Sequence, residues 1–206
     1  MTAALSDLLE RVRGTMSPKR FAHTEGVMQT TAAMAALYCP ESAEWLSAAA
    51  LLHDSTKEYS AEQTAEVLVR EGIVLRPDEA ASPQILHAIT APAEILRLYP
   101  DYATPQLLSA VRWHTTGRAG MSMEEAILYL ADVIEPTRTY PACVALRERF
   151  FGAEIEAMDA AARRAHLCRC VLCSLEGVRD SLLAKNAPVC RDTLDAIADL
   201  KLKNTL

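Results

Sequence analysis

An apolar run from Ala43 to Leu52 ends on His53-Asp54, and this junction limits the fold more than any other stretch. Trp45/Leu46, Ala49 and Leu52/His53 recur at helical spacing, so the run reads as a buried helix with an imidazole and a carboxylate at its end. A carboxylate left unpaired there costs on the order of several kcal/mol, so a cation has to meet it. A divalent metal is the simplest partner, since imidazole and carboxylate together suit a first-row ion. Two adjacent residues cannot enclose an ion, and the other ligands must come from elsewhere in the chain.

Half of the 206 residues are apolar, only seven are glycine, and Ala and Leu dominate. That mixture points to an all-α protein. The length suits one domain, with a core over about 17–140 and C-terminal helices over about 141–206. A formal charge of -6 argues against nucleic acid as a partner, because phosphate backbones need a basic surface. It leaves room for a small phosphorylated ligand met by local cations. Met1 to Arg13 reads as a short helix, neither signal peptide nor anchor. No window reaches the roughly 18 uninterrupted apolar residues of a spanning helix, so no membrane partner is expected. Six scattered cysteines without an export signal read as free thiols in a reducing cytoplasm.

Start and stop signals divide the chain. Ser17-Pro18 opens a helix to Tyr38, ended by Pro40, with His23 one turn before Val27 on its apolar side. Ser60-Ala-Glu-Gln63 is a capping box for a helix to about Arg70, closed near Gly72. Glu62, Glu66 and Arg70 at helical spacing read as a solvated face. Leu75 to Ala81 is expected as a loop, and Ser82-Pro83 opens a short helix carrying His87. Thr104-Pro105 starts a helix to Trp113-His114, stopped by Gly117. Ser122-Met-Glu-Glu125 caps another, ending before Pro136 and carrying Asp132 in an apolar stretch. Helices over about 141–151, 155–183 and 190–201 complete an α-only domain. An apolar helix face suits a second copy as well as it suits a core, which leaves a homodimer open.

His23, His53-Asp54 and Asp132 offer two imidazoles and two carboxylates from three helices, a set fit for an octahedral ion with open positions. Their order resembles that of the HD-domain metal-dependent phosphohydrolases. The segments His23-Thr-Glu-Gly-Val27, Leu51-Leu-His-Asp-Ser-Thr-Lys57, Trp113-His-Thr-Thr-Gly117, Met121-Ser-Met123 and Tyr129-Leu-Ala-Asp-Val-Ile-Glu-Pro-Thr-Arg138 are similar to the YqeK family over about residues 15–185. Those are bacterial symmetrical bis(5'-nucleosyl)-tetraphosphatases, which split diadenosine tetraphosphate into two ADP.

The resemblance implies a single HD-domain helical bundle and one or two iron ions, other divalent metals remaining open, held by His23, His53, Asp54 and Asp132. It implies a catalytic role for Asp54, His87 and His114. Substrate contacts would come from Asp54, Lys57, His87, His114, Thr115, Asp132 and Arg138, with dinucleoside polyphosphate or ADP as the ligand. Metal-activated water would attack a central phosphorus. Lys57 would present a point charge and Arg138 a two-pronged grip. His87 or His114, if protonated, would stabilise or protonate the departing ADP. From spacing alone, Lys57 also fits a helix C-terminus, Arg138 a solvated surface, and Thr115 a helix stop.

Two segments depart from the family. His87-Ala-Ile-Thr-Ala-Pro92 stands where a His-Gly segment is usual, and Ser55-Thr56 where an aromatic-small pair is usual. Cys168-Arg-Cys170-Val-Leu-Cys173, with only His166 nearby, lacks zinc-site spacing and reads as buried or incidental thiols. Two rival readings stand beside the tetraphosphatase. One is an HD phosphohydrolase of a deoxynucleotide or guanosine alarmone. The other is a non-catalytic nucleotide-sensing module.

Overall fold

The computed structural model describes residues 2–204; Met1, Thr205 and Leu206, which the single-domain expectation includes, lie outside the described residues. Eleven α-helices run in order among the described residues, with no strand. They are α1 (Ala3–Arg13), α2 (Pro18–Tyr38), α3 (Ala43–Leu52), α4 (Ala61–Arg70), α5 (Pro77–Ala80), α6 (Leu86–Leu98), α7 (Pro105–Trp113), α8 (Met123–Ile134), α9 (Pro141–Phe151), α10 (Ala160–Ala184) and α11 (Arg191–Asn204).

The apolar run before His53 is α3, and every residue from Leu46 to Leu52 is buried. It lies against α1, α2, α7 and α8. The small side chains of Ala48, Ala49 and Ala50 let these neighbours come close, while Leu46, Leu51 and Leu52 fill the remaining space at zero exposure. Helix α8 adds Ile127, Leu128, Leu130 and Ile134 to the same core. The ends of α3 and α8 and the second turn of α2 are therefore held in fixed relation, and they carry the candidate ligands.

The caps form as the sequence indicates. Ser17 accepts from the Arg20 N–H and Thr104 from that of Leu107, while Ser60–Gln63 and Ser122–Glu125 are reciprocal boxes. Gly72 and Gly117 close their segments at φ 63°, where a side chain would be strained.

Four expectations need correction. The loop at Leu75 to Ala81 contains the short helix α5, whose buried Glu79 takes the Arg112 guanidinium at 2.7 Å. Ser82 makes no side-chain cap; Pro83–Ile85 is a 3-10 turn, and the helix carrying His87 runs on past Pro92 to Leu98. Burial of Ala88, Ala91 and Ile95 outweighs the hydrogen bond that Pro92 forfeits. The helix expected over 155–183 breaks at Met158, and α10 begins after Asp159, whose side chain caps Ala162. Arg70 does not lie on a merely solvated face, because it reaches the buried carboxylate of Glu94, which also takes the Tyr59 hydroxyl. The six cysteines are free. His166 bonds the Phe150 carbonyl at 3.1 Å.

Candidate metal and phosphate site

Helices α2, α3, α6, α7 and α8 bring every residue expected at the site to one place. His23 projects from α2, His53 and Asp54 follow the last turn of α3, and His114 follows the last turn of α7. His87 comes from the first turn of α6 and Asp132 from the last turns of α8. All four imidazoles and Asp54 are buried.

Ligating atoms of His23, His53 and Asp132 lie within 4.8 Å of one another, and so do those of His53, Asp54 and His114. The four residues expected as ligands are thus spread over two overlapping triplets that share His53, and His114 completes the second. Asp54 is the hub. Its Oδ2 lies 3.4 Å from His53 Nε2 and 3.6 Å from His23 Nε2, and its Oδ1 lies 3.3 Å from His87 Nε2 and 3.8 Å from His114 Nε2.

Ring orientation is set from behind. The Ala50 carbonyl accepts from His53 Nδ1 at 2.6 Å, and the Val111 carbonyl accepts from His114 Nδ1 at 2.6 Å. A carbonyl cannot donate, so each neutral ring carries its proton on Nδ1 and turns its Nε2 lone pair inward. His23 Nδ1 donates to Glu135 Oε1 at 3.0 Å. The result is that Nε2 of His23 and of His53 are both buried without a hydrogen bond. His23 Nε2 is 3.0 Å from Asp132 Oδ1, but off the hydrogen-bonding direction. Buried nitrogens aimed at carboxylates and left unsatisfied are what a cation would complete. Two imidazoles with two carboxylates suit a divalent first-row ion.

The charges are strongly displaced. Burial works against ionising Asp54, but the surrounding imidazoles, His53 first, hold its carboxyl well below the usual range. Desolvation works against ionising the partly buried Asp132 too, yet contact with His23 and the Arg138 charge hold its carboxyl well below the usual range. Burial opposes protonation of His23, yet contact with Asp132 and Glu135 raises its pKa to about 9. Burial and the adjacent His114 push His87 down to about 2, and burial with His53 pushes His114 down to about 4. In the ligand-free site His87 and His114 are therefore neutral, so neither is the ready imidazolium considered from the sequence; a polyphosphate set beside them would raise their basicity.

Cations rim the cluster. Lys57 Nζ lies 3.2 Å from His87 Nδ1, and burial lowers its pKa. It is not a helix-end ornament, since it also reaches the Gln84 carbonyl at 3.5 Å. Arg138 donates to Asp132 Oδ1 at 2.7 Å and to the Asp132 carbonyl at 3.1 Å, so it is no free surface residue. Thr115 Oγ1 lies 3.0 Å from His114 Nε2 and 3.2 Å from His87 Nε2.

Three participants escaped the sequence reading. Arg20, one turn before His23, places Nη1 2.6 Å from Asp54 Oδ2. Glu135 stands three residues after Asp132, at the extended C-cap position just past α8, and its closeness to Asp132 in the chain was its only signal. Arg147 donates to the carbonyls of Ile134, Glu135 and Arg138, a backbone clamp that no side-chain pattern announces.

With this geometry in hand, the chain can be set beside known proteins. A family model for the HD domain matches residues 20–137. The chain is 30% identical over 195 residues to a protein of Halalkalibacterium halodurans named bis(5'-nucleosyl)-tetraphosphatase, symmetrical, covering 95% of this chain and 96% of that one. It is 28% identical over 187 residues to a Bacillus subtilis protein of the same name, covering 91% and 92%. A crystal structure from Clostridium acetobutylicum, titled a predicted HD superfamily hydrolase involved in NAD metabolism, has the same fold. It superposes with a TM-score of 0.81 at 24% identity, over 96% of this chain and 97% of that one. The chain belongs to the HD-domain family of metal-dependent hydrolases, beside relatives of the YqeK type.

Proposed function

We propose that the protein hydrolyses diadenosine tetraphosphate symmetrically to two ADP, with iron as its ion, in the cytoplasm. The observation that carries this reading is the doubled His/Asp cluster with Arg20, Lys57 and Arg138 on its rim. The names of the relatives support the substrate.

His23, His53, Asp54 and Asp132 would hold the ion, and His114 a second one if two are bound. The bound metal supplies Lewis acidity toward a phosphoryl oxygen and toward water. The chain's own residues do the rest. Asp54 Oδ1 faces His87 and His114 and is free to orient the attacking water through its unshared lone pairs. Lys57 presents a point charge, and Arg138 turns its fork from Asp132 toward two phosphate oxygens. His87 and Thr115, within hydrogen-bond distance of each other at 3.2 Å, hold the ADP that leaves. Water adds across the central P–O–P link: one ADP gains its oxygen and the other retains the bridging oxygen. The protons pass to the neutral imidazoles or to solvent.

Cleavage at the centre requires one adenosine to be held at a fixed distance from the cluster. A cavity of about 590 Å³ between α8, α9 and α10 suits that end. Val133, next to Asp132 in the chain, and Cys143, close enough to Arg138 to act on its charge, line it together with Ser174, Gly177, Val178 and Ser181.

Incubation of iron-loaded protein with diadenosine tetraphosphate, followed by chromatographic separation of the products, tests the proposal. ADP as the main product is expected; AMP plus ATP as the main pair overturns it. A panel with deoxynucleotides and guanosine alarmones gives the largest kcat/KM to the dinucleotide. A protein that takes up no metal would instead support the sensing module.

A further inference from the structure

We infer that a second cavity, on the Lys57–His87 side of the cluster, is the seat of the other nucleoside of the dinucleotide. The inference rests on the tetraphosphatase reading and deepens it. A substrate with two equal ends, cut in the middle, must send its halves away from the cluster in two directions. The α8–α9–α10 cavity accounts for one direction.

The other cavity is of nearly the same size, about 570 Å³, and lies between α4, the Pro83–Ile85 turn and the start of α6. Lys57 and His87 belong both to its wall and to the cluster. His87 Nε2 is 3.3 Å from Asp54 Oδ1, while Lys57 Nζ lies 3.2 Å from the other nitrogen of the same ring. A polyphosphate chain leaving the cluster on this side therefore runs along a cation before it enters the cavity.

The wall beyond them fits a nucleoside. Ala65, Leu68 and Leu86 offer aliphatic surface for the face of a base. Thr64 adds a hydroxyl, and Gln84 an amide that both donates and accepts. An amide of that kind matches the N6/N7 edge of adenine. Mostly apolar walls with a few polar groups, in this size range, are the usual make-up of a small-molecule site. A third cavity, about 330 Å³, is a poor competitor, because Glu41, Glu44 and Asp101 line it and repel a polyphosphate.

Filling the α4 wall tests the assignment. Ala65 and Ala61 are exposed, so Ala65→Trp and Ala61→Trp narrow the cavity without entering the core. The measurement is equilibrium binding to metal-loaded protein of two probes: diadenosine tetraphosphate with an uncleavable methylene bridge at its centre, and ADP. Loss of one base contact is expected to raise the Kd of the dinucleotide relative to that of ADP about tenfold in Ala65→Trp, with a parallel change in Ala61→Trp. A ratio unchanged from the native protein in both variants overturns the second seat and leaves the hydrolase reading intact. A native protein that binds neither probe overturns both.

Discussion

Glu135 reaches His23 only because residue 26 is glycine. Its Oε1 lies 3.0 Å from His23 Nδ1, and a Cβ on Gly26 would stand 2.5 Å from its other carboxylate oxygen. Glu135 has no exposed surface and is also held by the Thr137 amide at 2.6 Å, so it has little freedom to step aside. Gly26→Ala gains about 1 kcal/mol of helix propensity but is expected to loosen the bond that fixes the His23 ring. Metal affinity, measured by chelator competition, should fall roughly 10-fold or more, with Glu135→Gln losing a similar amount. Native affinity in both variants would remove Glu135 from the support of the site.

Asp132→Ala should abolish stable metal uptake and turnover while the helical circular dichroism persists. The apolar side of α8, with Ile127, Leu128, Leu130 and Ile134 fully buried, still packs without the carboxylate. Arg138 loses its partner at 2.7 Å. Turnover retained in this variant would displace the assigned ligand set.

Arg138→Lys separates grip from charge. The ammonium keeps the positive charge but cannot bind two phosphate oxygens as a fork. KM for the dinucleotide should rise about tenfold, equivalent to about 1.4 kcal/mol, with kcat changed much less. Steady-state kinetics decide this, and a fall confined to kcat would move Arg138 from substrate holding to the chemical step.

Stability of the metal-free protein should peak near pH 6.5 and fall on both sides. His114 and His87 are held to about 4 and about 2 by burial. Their contribution is full above the ordinary value of about 6.5 and is lost as pH falls, because the unfolded chain then binds protons that the folded chain refuses. His23 has the opposite sign, since its pKa is raised to about 9. Its contribution is present below 6.5 and lost as pH rises toward 9. Each limb has a limiting slope of about 1.4 kcal/mol per pH unit per proton. Urea titrations of metal-free native protein and metal-free His23→Gln should differ on the alkaline limb, and an alkaline limb unchanged in the variant would remove His23 as its source.

Much of the fold was legible because its signals are local. Ser17-Pro18, Thr104-Pro105 and the two capping boxes place helix starts through single hydrogen bonds, and α2 and α9 occur over the expected residues. Asp54 and Asp132 stood out as carboxylates in apolar runs. What escaped depends on distance in the chain. Arg70 finds Glu94 across 24 residues, and Pro92 is tolerated because α6 buries one face against partners that its own sequence does not name. Glu135 was hidden by ambiguity, since an acid just past a helix reads as solvated until Gly26, over a hundred positions earlier, is found beneath it.

The burial of α3 from Leu46 to Leu52 has a consequence for how the site would loosen. Peripheral segments can open and close on their own, but the buried last turns of α3 are expected to exchange their amide hydrogens through openings close in cost to unfolding the whole molecule. His53 and Asp54 are fastened to the end of that helix, so their grip cannot slacken by local fraying. Any local opening of the site would begin instead on the side of Asp132, which is only partly buried.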